Sequence, residues 1–563
     1  MEVGTNAPIN SKAEKVEESN DVTSSSSSLS ASKLSLRIID GKIEAKEKLL
    51  IPPRPSSKLS KPSKPEVEEL VLRSWQIDWA ARAQNILIDN HGYIDTSTMG
   101  CGKTFVVLWL AKYFGFKLLV VCPKTVIDIW QTACEKYGVT LIDAIGYQSL
   151  RSQRNHQPKH GYLDRHDNET EKGIHQVQFS PTKDYLDLVD DGIMLVLDEI
   201  QSIKNNSDQY KASSALVRPI IDNGGRSRFA LLSGTPISDE DQAINLLRLI
   251  AYVRSPRLYS IKNDTGEMVL EGVQDLIDVC NYINETETKN VLKEIPLVKG
   301  KMNNLCYTLY TKVVKGAISG SMPSPTSITG AFDIKNGFYK ICKKNEPKLR
   351  DAIEALISAV KYNEKTGQVD FTSGAIGDVT TALVNGENAK VFDIARVGTG
   401  ILMVSLRNKI IVCLNYTSSI DEIMILLEEF TPVLLNGSVP AKKRAAIIKA
   451  FNTDPKVRVL VMNTAVGGVG ISLHDTIGDA PRTMLMSPSY KMLDVIQAAG
   501  RIYRDGTKSD AVVRVFHGKG DAMVETSILN EMARKTQVLK GVLDEERLDS
   551  LKFPGDYPSE EEE

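Results

Sequence analysis

Six short apolar runs, separated by stretches of helical periodicity, constrain this 563-residue chain more than any other feature. Three lie in its first half: Lys117–Cys122, Gly192–Leu197 and Arg228–Leu232. Three lie in its second: Lys409–Leu414, Val457–Met462 and Arg482–Met486. A strand that is apolar on both faces needs cover on both, and a parallel sheet with helices on either side supplies it. The sequence therefore reads as α/β, with one doubly wound parallel-sheet lobe over 67–258 and a second over 391–540. The stretch 259–390 has a different texture. Turn signals at Asp264-Thr265-Gly266 and Asn385-Gly386 flank helical patterns such as Lys348–Lys361, and an inserted, mostly helical subdomain is expected there.

The ends differ from the body. Residues 1–66 hold a serine run, Ser24–Ser28, and a proline- and lysine-rich stretch from Pro52 to Pro65. Such composition buries too little apolar surface to offset ordering entropy, so a disordered arm is expected. It reads equally as a nucleic-acid or nuclear-targeting arm and as a solvated linker. The tail 541–563 ends in Glu560–Glu563 and is expected to be disordered too. Arm and tail are also candidate contacts for a protein partner. With 69 basic against 71 acidic residues the net charge is −2, which excludes a uniformly basic nucleic-acid coat but not a local basic cleft. The apolar run Phe105–Ala111 is far shorter than the ~20 residues that span a bilayer, so no membrane segment is expected. The N-terminus lacks a secretion signal's layout. Seven cysteines without a CxxC pair fit reduced thiols in an intracellular protein.

The first chemical signal is Gly100-Cys101-Gly102-Lys103-Thr104, opening a helical run. Glycines let backbone N–H groups approach phosphate oxygens, and a helix start adds a favourable dipole. Lys103 can reach the β- and γ-phosphates of ATP, and the Thr104 hydroxyl can ligate Mg2+. Ser97 stands where the full pattern has glycine. The second signal is Asp198-Glu199 after an apolar strand, at the sheet edge where α/β folds bind ligands. Asp198 is the candidate metal ligand and Glu199 the candidate general base.

These residues, with others in order, resemble the Swi/Snf-related branch of superfamily-two helicase-type ATPases. Leu72–Gln76 resembles the upstream adenine-recognition motif, with Gln76 placed to read the base. Ser97–Thr104 resembles motif I, Val120–Pro123 with Trp130 motif Ia, Leu197–Gln201 motif II, and Leu232–Pro236 motif III. In the second half, Leu435–Ser438 with Arg444, Phe451 and Asn452 resembles the stretch after motif IV. Asn463–Leu473 resembles motif V and Gln497–Gly506 motif VI.

The resemblance spans about 67–530 and implies two RecA-like lobes with ATP between them. Lys103, Asp198, Glu199, Arg501 and Arg504 are then the catalytic set. Gln76 and Gly100, Cys101, Gly102, Lys103 and Thr104 bind ATP, and Thr104 and Asp198 hold Mg2+. Ser233, Thr235 and Gly470 couple hydrolysis to lobe movement, and Lys124, Thr125, Thr464 and Gly467 meet nucleic acid. Arg501 and Arg504, three apart, are expected on one helix face, positioned to act as arginine fingers.

Gln201 departs from the branch's usual histidine, which puts the link between motifs II and III in question. Lys335–Arg350, basic with Phe338 and Tyr339 interleaved, reads equally as a base-stacking groove and as a solvated helix face with buried aromatics. The expected activity is translocation on duplex DNA, DNA being favoured over RNA as the track. Strand separation on DNA or RNA, a transcription or DNA-processing accessory ATPase, and a non-hydrolysing scaffold are the alternatives. The nucleus or a site of viral DNA replication is the expected location, since Gly470–Asp475 also resembles helicases of large DNA viruses.

Overall fold

The computed structural model describes residues 35–39, 42–46, 67–169, 175–223, 225–262, 264, 266–323, 325–363, 368–371, 376–464, 471–489, 491–519, 534–543 and 559–561. In the arm, Ser35–Ile39 and Lys42–Lys46 pair antiparallel; its other residues up to 66, and most of the acidic tail, lie outside the described residues.

The first lobe runs α1 (Ser74–Asp89), β1 (Gly92–Asp95), α2 (Lys103–Phe114), β2 (Lys117–Cys122), α3 (Ile127–Tyr137), β3 (Leu141–Gly146) and α4 (Tyr147–Arg151). A hairpin follows, β4 (Leu163–Glu169) and β5 (His175–Pro181), then α5 (Lys183–Asp191), β6 (Ile193–Asp198), α6 (Asp208–Asn223), β7 (Arg228–Leu232) and α7 (Glu240–Leu249). Next come α8 (Gly272–Glu294), α9 (Met302–Leu309) and the two-residue strand β8 (Ser319–Gly320). Six strands pair in the order β8-β1-β7-β6-β2-β3, all parallel. The apolar runs make sense of this. On β2 and β6, Leu119, Val121, Leu195 and Leu197 enter the core on one face, while Leu118, Val120, Met194 and Val196 enter the core on the other.

The second lobe runs β9 (Phe332–Lys340), α10 (Glu346–Ala359), α11 (Ile376–Val404), β10 (Lys409–Leu414), α12 (Thr417–Leu426), β11 (Val433–Leu435) and α13 (Ala441–Thr453). It continues with β12 (Val459–Asn463), β13 (Arg482–Met486), α14 (Met492–Ala499) and β14 (Ala511–Lys519). Its strands pair in parallel in the order β11-β12-β10-β13-β14-β9, with Ser559–Glu561 along the outer edge of β9. The expected α/β class with two parallel-sheet lobes is therefore what the chain forms.

The stretch 259–390 is not a body of its own. Helices α8 and α9 give Leu276, Cys280, Leu305 and Leu309 to the first lobe's core, and β8 extends that lobe's sheet. Strand β9 joins the second sheet, and α10 and α11 pack Ile353, Leu356, Val391 and Ile394 against β10. The chain thus crosses between lobes within 321–331. The basic and aromatic segment beginning at Lys335 is a strand, not a groove or a helix face, over its first six residues. Tyr339 stacks on Phe516 at 4.1 Å and Phe338 on His517 at 5.2 Å. A helix over 534–542 then returns to the seam, sending Val542 into the first core and Leu539, with Leu543 just beyond it, into the second. Among the described residues no helix is long and apolar enough to cross a membrane.

Leu195 lies fully buried at the centre of β6. Leu195→Ala is expected to cost about 2–5 kcal/mol, read as an earlier unfolding transition in urea; an unchanged midpoint would contradict this account of the first core.

Candidate active site

The candidate phosphate-binding loop is shaped by two glycines and one buried acid. Gly100 and Gly102 have φ of +86° and +93°, a region that excludes most side chains. At the end of β1 the buried Asp95 accepts from the Trp79 indole at 2.8 Å and from the Ser97 N–H at 2.8 Å, which fixes where the loop turns. Lys103 at the start of α2 donates to the carbonyls of Ser97 (2.9 Å) and Thr98 (3.2 Å). Burial raises the Asp95 carboxyl's pKa, and the Lys103 ammonium opposes that rise.

The Ser97 departure acquires a reason. The Ser97 hydroxyl accepts from the Met322 N–H at 2.8 Å, tying the interlobe crossing to the loop. Thr98 Oγ1 lies 2.5 Å from the Cys101 sulfur, so this pair closes the loop from inside. Gln76 is 3% exposed: its Nε2 donates to the Cys101 carbonyl at 2.9 Å and its Oε1 accepts from the Arg73 N–H at 2.9 Å. One end of its amide holds the loop and the other the start of α1. Thr104 sits half-buried in the first turn of α2.

Opposite the loop, Asp198 ends β6. Its Oδ2 accepts from the Trp130 indole at 2.9 Å, and its carbonyl from the Tyr147 hydroxyl at 2.9 Å. Burial pushes this carboxyl up to about 7, with the neighbouring Glu199 charge adding to the rise and Lys103 opposing it. Such a carboxylate lacks a full counter-charge and suits a divalent cation. Glu199 itself takes φ +56°, a left-handed turn that is costly for a residue with a Cβ.

Gln201 is the site residue whose role the sequence left open. Its Nε2 donates to Glu199 Oε2 at 2.5 Å, and its Oε1 accepts from the Ser233 hydroxyl at 2.5 Å. Ser233 Oγ in turn accepts from the Thr235 N–H at 2.9 Å. The amide therefore bridges Glu199 to Ser233 and Thr235, where an imidazole was expected. The donor and acceptor ends of one amide suit a carboxylate on one side and a hydroxyl on the other.

The second lobe contributes its arginines at the seam. Helix α14 ends at Ala499, so Arg501 and Arg504 do not share a helix face; they reach the seam from the turn that follows. Arg501 is 2% exposed. Burial pushes its pKa down to about 10, against which the Glu199 charge holds it up. Arg504 is pushed down to about 9 by burial and then by Arg501, with Glu199 again opposing. Arg504 donates to the Gly500 carbonyl and to the Ser472 hydroxyl, each at 2.9 Å. Its side chain lies against Gly100, where a Cβ would come within 3.1 Å of it. Lys204, pushed down to about 8 by burial, feels both Asp239 of its own lobe and Asp494 of α14.

The remaining candidates divide. Lys124 and Thr125 are exposed in the turn after β2, on the same sheet edge as Glu199. Thr464 is buried, and its hydroxyl donates to the Leu414 carbonyl at 3.2 Å, so it offers no surface to a nucleic acid. Gly467 and Gly470 lie outside the described residues.

Residues 395–506 match the family described as "Helicase conserved C-terminal domain". The chain is similar to the mouse "DNA repair and recombination protein RAD54-like", 22% identical over 87% of this chain and 67% of the relative. It is similar also to L364 of Acanthamoeba polyphaga mimivirus, described as a candidate ATP-dependent RNA helicase, at 22% over 77% of this chain and 76% of that one. Among solved structures, the Sulfolobus solfataricus SWI2/SNF2 ATPase core in complex with dsDNA aligns over 87% of this chain and 99% of that one, at 16% identity and a TM-score of 0.28. The second lobe thus carries a helicase conserved C-terminal domain, and most of the chain is similar to relatives named as RAD54-like and as an ATP-dependent helicase.

Proposed function

We propose that the protein couples Mg-dependent ATP hydrolysis to translocation along duplex DNA. The observation that carries this reading is the convergence of Lys103, Asp198 and Glu199 of one lobe with Arg501 and Arg504 of the other. In phosphoryl transfer the protein's work is positioning and charge stabilisation, and these five groups are of the types it needs.

In this reading Lys103 exchanges its loop carbonyls for phosphate oxygens. Thr104 and Asp198 would hold a magnesium ion, which when bound draws charge off the β- and γ-phosphates. Glu199 orients water and takes its proton, steadied by Gln201. Arg501 and Arg504 meet the charge that develops on the γ-phosphoryl group. Because the groups belong to both lobes, ATP favours closure and its loss favours opening, and the link through Gln201 to Ser233 and Thr235 carries that change into the first lobe. Lys124 and Thr125 grip the phosphate backbone, a contact that positions without reading sequence. The naming of RAD54-like relatives for DNA repair and recombination supports DNA as the track and a site of DNA processing as the place of action. The 1–66 arm and the acidic tail are proposed contacts for a protein partner.

Phosphate release is expected to rise more with duplex DNA than with single-stranded DNA or RNA, and a bound third strand should be displaced without separation of the duplex. Unwinding of a tailed duplex would replace translocation by strand separation; indifference to every nucleic acid would end the reading. Glu199→Gln is expected to lower kcat by about 10²–10⁴-fold, the range of a general base, and wild-type turnover would remove that role. Gln201→Ala should lower kcat about tenfold or more with little change in KM for ATP, and Gln201→His should restore much of it. Equal turnover in all three proteins would show that the bridge does not position Glu199.

A further inference from the structure

The hairpin of β4 and β5 has no part in ATP chemistry, yet it is firmly held and well placed. It leaves the first lobe from the edge that carries Lys124: Gly146, the last residue of β3, lies against that lysine, and the next residue, Tyr147, donates to the Asp198 carbonyl. Its root is fixed by the buried Arg165, which donates to the Arg151 carbonyl at 2.8 Å and forks onto Asp167 at 2.9–3.1 Å. The same guanidinium stands 3.6 Å from Asp208 at the start of α6 and stacks over Phe179. Gln157 clamps the Arg165 backbone from both sides at 2.8 Å. Leu163 and Phe179 belong to the first core.

The outward face is chemically distinct. Register pairs Asp164 with Ser180, His166 with Gln178 and Asn168 with Gln176. This row's only ring is the His166 imidazole, which is tied to the Ser180 hydroxyl at 2.7 Å, and it has no Phe, Tyr, Trp or aliphatic side chain to act as a wedge on a terminal base pair. It carries neither lysine nor glutamate, the usual dress of a solvated strand. Instead the exposed amides of Asn168, Gln176 and Gln178 make no hydrogen bond among the described residues. Exposed Arg154 lies on the ribbon's other face, against His175.

A two-stranded ribbon fits the major groove of B-form DNA, about 12 Å wide, and Asn or Gln pairs in bidentate fashion with N6 and N7 of adenine. Resting on the duplex reading above, we infer that the β4–β5 ribbon lies in the major groove and reads base edges through Asn168, Gln176 and Gln178, giving the motor a preference for A·T pairs. The contacts to phosphate would hold any sequence; the ribbon would choose among them.

The test compares affinity and stimulated hydrolysis of the full chain on alternating A·T and alternating G·C duplexes of equal length. The wild type should bind the A·T duplex about fivefold or more tightly, the yield of one good bidentate contact. Replacing adenine by 7-deazaadenine, which removes N7, should erase the difference. The triple variant Asn168→Ala/Gln176→Ala/Gln178→Ala should keep the wild-type basal hydrolysis and G·C affinity and lose the preference. No preference in the wild type, or one kept by the variant or on the 7-deaza duplex, overturns the inference while leaving translocation standing. Failure of both duplexes to bind or stimulate overturns the translocation reading and this one together.

Discussion

The seam between the lobes depends on facing buried charges. Arg501 and Arg504 lie out of water beside Glu199, and Glu199 adjoins the buried Asp198. Each group alone would be costly to desolvate, and the Coulomb gain among them repays that cost only while both sides stay close. Such an arrangement is poised. In the function proposed above, a triphosphate entering among these groups changes the balance at once. The rest of the chain either presents these residues or carries the consequence of moving them.

Three physical links run from the seam. The loop carrying Lys103 is tied through Ser97 to Met322, so the crossing between lobes starts at the phosphate site. That crossing ends on the turn after Arg504, where the Ser327 hydroxyl pairs with Asp505 and the Thr329 N–H donates to the Thr507 carbonyl at 3.0 Å. The third link is the segment 534–543, whose Tyr307 and Lys315 contacts bind it to the first lobe while Leu539 packs in the second. Phosphate loop, arginine turn and interlobe chain are thus mechanically adjacent, with separate lobes for their foundations.

Much of this was legible in the residues, for reasons that also explain the rest. Strands such as Lys117–Cys122 and Lys409–Leu414 are buried on both faces, so burial writes them as continuous apolar runs. Strand β9 escaped notice because Lys335, Asn336 and Gly337 interrupt it; its pairing partner, Ala511–Lys519, is distant in sequence and supplies the context that its own residues lack. The arginine spacing suggested one helix, but the helix stops at Ala499, and the two side chains converge through the turn and the bond to Ser472. Motif chemistry located Asp198 and Glu199. It did not locate Trp130 and Tyr147 as supports of Asp198, since nothing in a single chain ties an indole at one place to a carboxylate sixty-eight residues away. Gln201 was legible only as a departure; two short hydrogen bonds give it a task.

The central claim is that catalysis is completed by the second lobe's arginines. Single-turnover hydrolysis by Arg504→Ala, at saturating ATP and with duplex DNA present, tests it most directly. The account expects the rate constant to fall by roughly 10³–10⁵-fold, the contribution of an arginine finger, while ATP binding changes far less. A rate constant equal to that of the wild type would contradict it.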